Sequence, residues 1–216
     1  MKQILLMMAA VVLVGCGEKN DPNTGVVNPN KPSTDSASEK LITDPIVEKA
    51  IRRSLYWRTG ELTKVDLEKV TKLHLPGRNE LTEVPKDLEK LTQLTHLELY
   101  SNQLTDVKGL EKLTQLETLS LSSNQLTDVT DLEKLTQLKR LSLERLQLTS
   151  VKGLEKLTKL THLALAYNKL TDVKGLENLT QLKALRLTFN PDLTKVQIDE
   201  LQKALPNCKI ISNPTK

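Results

Sequence analysis

The chain carries three histidines, His74, His96 and His162, and the search for chemistry starts with them. An imidazole can move a proton near neutral pH or bind a metal, and a metal site needs further ligands close by. Each of the three sits in a short stretch where leucines alternate with polar residues, so all are read as outward-facing on strands. His74 and His96 would then stand on neighbouring strands about 5 Å apart, with Glu98 in the column of His74. A metal site from His74, His96 and Glu98 is geometrically conceivable. However, the two histidines are offset by one residue and His162 lies three strands away, so solvated surface is the plainer reading. The two cysteines, Cys16 and Cys208, are too few for a disulfide framework or a multi-Cys metal site. Cys208 has no His or strongly basic cluster beside it and reads as a small buried hydrophobe rather than a reactive thiol. The chain contains no G-x-S-x-G, H-E-x-x-H, C-x-x-C or P-loop motif. The expectation is a protein without catalytic residues, cofactor or metal.

The frame that must hold these side chains is written in the leucines, 43 of 216 residues. With 38% hydrophobic and 27% charged residues there is ample aliphatic material for a core, which excludes a disordered chain. Aromatics make up only 2%, too few for an ordinary globule, so one small leucine-based packing solution must be used repeatedly. The 31 basic residues nearly balance the 27 acidic ones, for a formal charge of +4. That balance lacks the clustered basic face that nucleic acid requires, and no nucleic-acid partner is expected.

Leu91, Leu113, Leu135, Leu157 and Leu179 recur every 22 residues. Each begins a line of the same text, such as Leu-Thr-Gln-Leu-Thr-His-Leu-Glu-Leu from Leu91, followed by Asn-Gln-Leu-Thr-Asp-Val from Asn102. Leu97 and Leu99 alternate with His96, Glu98 and Tyr100, the period of a half-buried strand. Leu104, Val107 and Leu110 come too irregularly for a regular helix and suit a tight return path, with Gly109 as a turn glycine on the convex side. One such unit cannot bury its own apolar face, and stacking makes it fold.

The pattern L-x-x-L-x-L-x-x-N-x-L matches from Leu94, Leu116 and Leu160, and partly from Leu182. It resembles the leucine-rich repeat, in the 22-residue class found in bacterial internalins. The resemblance implies an α/β fold: a right-handed, curved solenoid with a parallel β-sheet on its concave face and helical caps at both ends. It also implies that Asn102, Asn124, Asn168 and Asn190 form a buried structural ladder. Two departures stand out. Leu146 occupies a ladder position, and Ser150 replaces the aspartate found at 106, 128 and 172. The first repeat is also longer, with 24 residues from Leu67 to Leu91 and Pro76, Gly77 and Pro85 in its loops.

Caps are expected at both ends. Asp44-Pro45 supplies an N-cap and a first-turn proline, and Ile46, Val47, Ala50, Ile51 and Leu55 mark a helical face. Thr63 with Asp66 can open a second short turn. Thr194 caps a helix running to Leu205, with Val196, Ile198, Leu201 and Leu205 apolar. Pro206 stops it, and residues 208–211 add a last strand. The domain reading is an N-cap over residues 41–69, repeats over 70–193 and a C-terminal cap over 194–216.

Residues 4–14 form an apolar run behind Lys2, too short for a permanent span and suited to a signal-peptide core. Leu13-Val14-Gly15-Cys16 closes it and resembles a bacterial lipobox. That resemblance implies removal of residues 1–15 and lipidation of Cys16, which anchors the protein to a membrane without spanning it. Residues 16–40, rich in Asn, Ser, Thr, Pro and Gly, read as a tether with an average reach of about 25–30 Å, lifting the domain clear of the headgroups. The expected location is the cell envelope. Gly17 after Cys16 leans, by resemblance, to the outer membrane or cell surface rather than the inner membrane.

What remains is a surface of three outward columns. Lys72, His96, Thr118, Arg140, His162 and Ala184 make the first, and His74, Glu98, Ser120, Ser142, Ala164 and Arg186 the second. The third holds Pro76, Tyr100, Ser122, Glu144, Ala166 and Thr188. Arg145, Tyr167 and Phe189 flank the strand ends. Aromatics and Arg are favoured interface anchors. The candidate ligand-binding residues are therefore His96, Glu98, Tyr100, Arg140, Glu144, Arg145, His162, Tyr167, Arg186 and Phe189. The reading is a monomeric, lipid-anchored, non-enzymatic module that binds a protein ligand. A structural spacer without a dedicated ligand is the alternative, followed by a metal-binding protein or enzyme.

Overall fold

A computed structural model describes residues 40–57, 59–75, 77 and 81–213. The signal-peptide and lipobox readings, the tether before Lys40 and Pro76 of the third column lie outside the described residues. Seven three-residue strands stack in chain order into one curved, unclosed parallel sheet. They are β1 (Lys72–His74), β2 (His96–Glu98), β3 (Thr118–Ser120), β4 (Arg140–Ser142), β5 (His162–Ala164), β6 (Ala184–Arg186) and β7 (Lys209–Ile211). The sheet register puts Leu73, Leu97, Leu119, Leu141, Leu163 and Leu185 in one buried column. A slip of one residue would turn that column to solvent, so the leucines specify the register.

The return path follows from leucines three apart. Leu110, Leu113 and Leu116 each donate an amide to the carbonyl three residues earlier, and 88/91/94, 132/135/138, 154/157/160 and 176/179/182 repeat this. These are 3-10 turns, which close in three residues where an α-helix needs four. Gly109 opens one of them at φ 93°, backbone that favours glycine. The core is a stack of leucine layers between sheet and turns.

Helix α1 (Pro45–Ser54) is capped by the Asp44 carboxylate, which accepts from the amides of Ile46 and Val47. It buries Val47, Ala50 and Ile51 and covers the open edge at β1. Helix α2 (Lys64–Glu68) starts in a reciprocal capping box of Thr63 and Asp66. The buried Asp87 bolts this cap to the first repeat. Its Oδ2 accepts from the amides of Thr43 (2.6 Å) and Asp44 (2.8 Å), and its Oδ1 from Lys90 (2.7 Å). Burial opposes the charge on Asp87, and these bonds outweigh it, so its pKa is lowered to about 2.

Helix α3 (Lys195–Ala204) begins in a capping box of Thr194 and Gln197. Ile198 and Leu201 pack inward, but Val196 is 65% exposed. Val196 was expected to pack with them; at the second helical position it faces away from the stack that Ile198 and Leu201 join. Cys208 is buried, and that burial pushes its thiol pKa up. Beyond β7, the Asn213 side chain accepts from the Phe189 amide (2.6 Å), replacing the carbonyl that a further repeat would supply.

Candidate ligand-binding face

Asn102, Asn124, Asn168 and Asn190 are buried at the end of each strand segment. Each amide oxygen accepts from a backbone N–H one repeat earlier, of Leu81, Leu104, Leu148 and Leu170. Each Nδ2 donates to two leucine carbonyls; that of Asn124 bonds Leu99 and Leu121 (3.0 and 2.8 Å). Leu146 takes the third of the five rung positions and is buried in place of an asparagine. The Leu126 amide, which an asparagine there would meet, is buried and has no acceptor among the described residues.

The residue before each rung has left-handed backbone: Ser101, Ser123, Arg145, Tyr167 and Phe189, with φ between 55° and 59°. Non-glycine residues seldom occupy this region. The last three carry large side chains, and these stack into a ledge. The Arg145 guanidinium lies 4.3 Å from the centre of the Tyr167 ring, and that ring stacks on Phe189 at 4.3 Å. Tyr167 and Phe189 remain 41% and 51% exposed. The sequence places these residues at the strand ends; their shared backbone conformation and mutual stacking were missed. The 22-residue spacing of Arg145, Tyr167 and Phe189 was the available signal.

Beside the ledge, β3 to β7 form a shallow hollow of about 290 Å³, lined by Ser120, Ser142, Ala164 and Ala184 together with Arg140 and His162. Arg186 pairs with Glu144 (3.3 Å), two strands apart, while Arg140 has no acidic partner among the described residues. His162 is held below the usual histidine range by burial, then by the charges of Arg140 and Lys183, and so stays neutral at neutral pH.

The N-terminal end of the face is a separate group. His74 bonds Glu98 through Nδ1, and its ring meets Tyr100 edge-on at 5.6 Å. The register pairs His96 with Lys72, two residues before His74, so the two histidines are offset by two residues rather than the one expected. The ring of His96 bonds Thr95 (2.8 Å), and that of His162 bonds Thr161 (2.9 Å). Among the described residues no group of three His, Cys, Asp or Glu side chains could hold a metal. Ala166, expected in the third outward column, is fully buried between the positions of Glu144 and Thr188, because its single methyl does not rise above its larger neighbours.

Sequence models of the leucine-rich repeat match residues 68–126, 114–156 and 156–177, an unbroken run. No curated protein matches the chain significantly. Among solved structures, an internalin (InlF) from Listeria monocytogenes is 25% identical, covering 80% of this chain and 58% of its own, with a TM-score of 0.61. Internalin C2 of the same organism is 26% identical over 80% of this chain and 86% of its own, with a TM-score of 0.63. A leucine-rich repeat protein of Leptospira interrogans is 30% identical over 71% of this chain, at a TM-score of 0.61. The chain spans only 40% of that protein. Leucine-layered turns, a parallel concave sheet and the sequence matches agree: the chain belongs to the leucine-rich repeat family, whose members commonly mediate protein–protein interaction on typically non-enzymatic scaffolds.

Proposed function

We propose that the protein is a lipid-anchored recognition module of the bacterial cell envelope, holding a protein ligand on the concave face of its 22-residue repeats. The ledge of Arg145, Tyr167 and Phe189 carries this reading. Three bulky side chains are held at strained backbone positions, exposed, and outside the leucine core. Strain kept where the core gains nothing points to function. Aromatic and arginine side chains are the usual energetic anchors of interfaces. The hollow beside the ledge adds Arg140, and the other end of the face adds His96, Glu98 and Tyr100. A preordered sheet loses little conformational entropy on binding. Several internalins share the scaffold.

A photo-crosslinking residue at Tyr167 tests the ligand on intact cells, with Lys174 on the return path as control. One discrete protein adduct from position 167, absent from 174, is expected. No adduct, or the same adducts from both, would instead support a spacer without a dedicated ligand. Lipid mass on the N-terminal peptide, lost in Cys16→Ser, tests the anchor. Protease release of the repeats from unbroken cells places them outside, and protection places them in the periplasm.

A further inference from the structure

Helix α1 turns Val47, Ala50 and Ile51 to the core and leaves Lys49 and Arg53 exposed on the other side. It ends with the Trp57 amide donating to the Arg52 carbonyl (2.8 Å) and the Tyr56 amide to that of Arg53 (3.2 Å). This pair of bonds requires left-handed backbone at the residue between, which is why glycine is usual there. Here it is Tyr56, at φ 55°, and its side chain is 97% exposed. Neither packing nor backbone ease accounts for a tyrosine at that position. Trp57 follows and is 40% exposed. Together with Pro45, Lys49 and Arg53 they line a groove of about 600 Å³ on the outer face of the cap. Glu48 is taken up by Lys40 and Arg52 (2.7 and 2.8 Å), so Lys49 and Arg53 have no acidic partner among the described residues.

We infer that this outer face of the N-terminal cap rests on an anionic lipid surface, Tyr56 and Trp57 at the interface and Lys49 and Arg53 against the phosphates. Tyr and Trp settle at the headgroup level of bilayers, and Lys and Arg are drawn to anionic lipid. The position of the cap in the chain identifies the occupant as lipid rather than protein. The cap starts at Leu41, and the 24 residues of 17–40 are all that separate it from Cys16. A stretch of that length limits how far the cap can stand from Cys16, to about 80 Å at full extension, and sets no minimum. On the proposed anchor, the cap meets the bilayer at high effective concentration. The biological setting rests on the proposed anchor; the affinity for lipid belongs to the cap itself.

Trp57 is the only tryptophan in the chain and reports directly on this face. The protein starting at Gly17 keeps every described residue and cannot be lipidated at Cys16. Its emission is followed as vesicles are added, either of phosphatidylcholine alone or with one third phosphatidylglycerol. A blue shift with the anionic vesicles, reversed by salt and quenched by brominated acyl chains, is expected. Lys49→Gln and Arg53→Gln should each weaken binding about fivefold. Tyr56→Gly should weaken it while leaving thermal stability equal or higher, because glycine relieves the left-handed backbone. Emission unmoved by anionic vesicles, equal binding to neutral ones, or unchanged binding by the variants overturns the inference. Vesicle binding by a protein whose Cys16 carries no lipid in cells would keep this inference and end the anchor reading.

Discussion

The rings of Tyr167 and Phe189 lie 4.3 Å apart and within 15° of parallel, although one full repeat of sequence separates them. Neighbouring strands are spaced by about 4.8 Å, close to the contact distance of stacked rings. Any planar side chain placed at the same position of consecutive repeats is therefore brought into stacking range. Arg145, one repeat earlier, extends the stack with its guanidinium.

The backbone under this ledge can be tested against its neighbours. Ser123 shares the left-handed conformation but carries no stack. Ser123→Gly should gain about 0.5–1 kcal/mol, the relief of left-handed strain less the extra freedom of unfolded glycine. Phe189→Gly has the same relief but forfeits a ring pair worth about 0.5–1.5 kcal/mol, and should gain nothing. Urea unfolding of the two variants decides; equal gains would mean that the stack contributes nothing to stability.

The missing rung makes a local prediction. The amides of Leu104 and Leu148 bond to asparagine side chains, whereas that of Leu126 faces Leu146. Leu126 should exchange its amide hydrogen faster than those two, and Leu146→Asn should slow it to match. Global stability should move by less than about 1 kcal/mol, since satisfying the amide and burying less apolar surface are each worth about 1–3 kcal/mol and oppose one another. Equal protection of all three amides in the parent protein would contradict this.

Asp87 predicts an acid limb. Its pKa of about 2 lies below the ordinary 3.8, so the folded state binds its proton less readily than the unfolded chain. The stability it contributes, about 2 kcal/mol, is complete above pH 4 or so and is lost as the pH falls towards 2. Asp87→Asn should lose that amount at neutral pH and converge with the parent protein in strong acid. A constant difference between the two at all pH values would exclude the carboxylate as the cause.

Gly77 is required by proximity. A Cβ there would fall 1.8 Å from the Ser101 carbonyl oxygen and 2.4 Å from Asn102 Oδ1, so backbone has to move. Gly77→Ala should cost about 1–3 kcal/mol, as overpacking does. It should also speed exchange at Leu81, whose amide bonds that same Asn102 oxygen. An alanine variant with parent stability would mean that the first loop relaxes freely.

Much of the fold is legible residue by residue. The leucine spacing specifies strand register, turns three residues apart and a stacked core, because each repeat meets a copy of its own pattern. Caps are readable at Asp44, Thr63 and Thr194 because their bonds are made within three residues. The outward columns follow from alternation, and the register offsets His96 from His74 by two residues, which keeps His74 beside Glu98.

Contacts made across repeats are another matter. The bolt from Asp87 to Thr43 and Asp44 joins groups more than 40 residues apart, and nothing local marks it. Val196 and Ala166 have apolar side chains in regular patterns, yet exposure of one and burial of the other depend on neighbouring elements and side-chain height. The same holds for the Arg145–Tyr167–Phe189 ledge and the exposed Tyr56. By itself the sequence determined a stack of identical layers, since hydrophobic periodicity acts within each repeat. Only the tertiary structure decided which side chains meet between layers and which stand free, because that depends on backbone conformation and on distances set by the stacking itself.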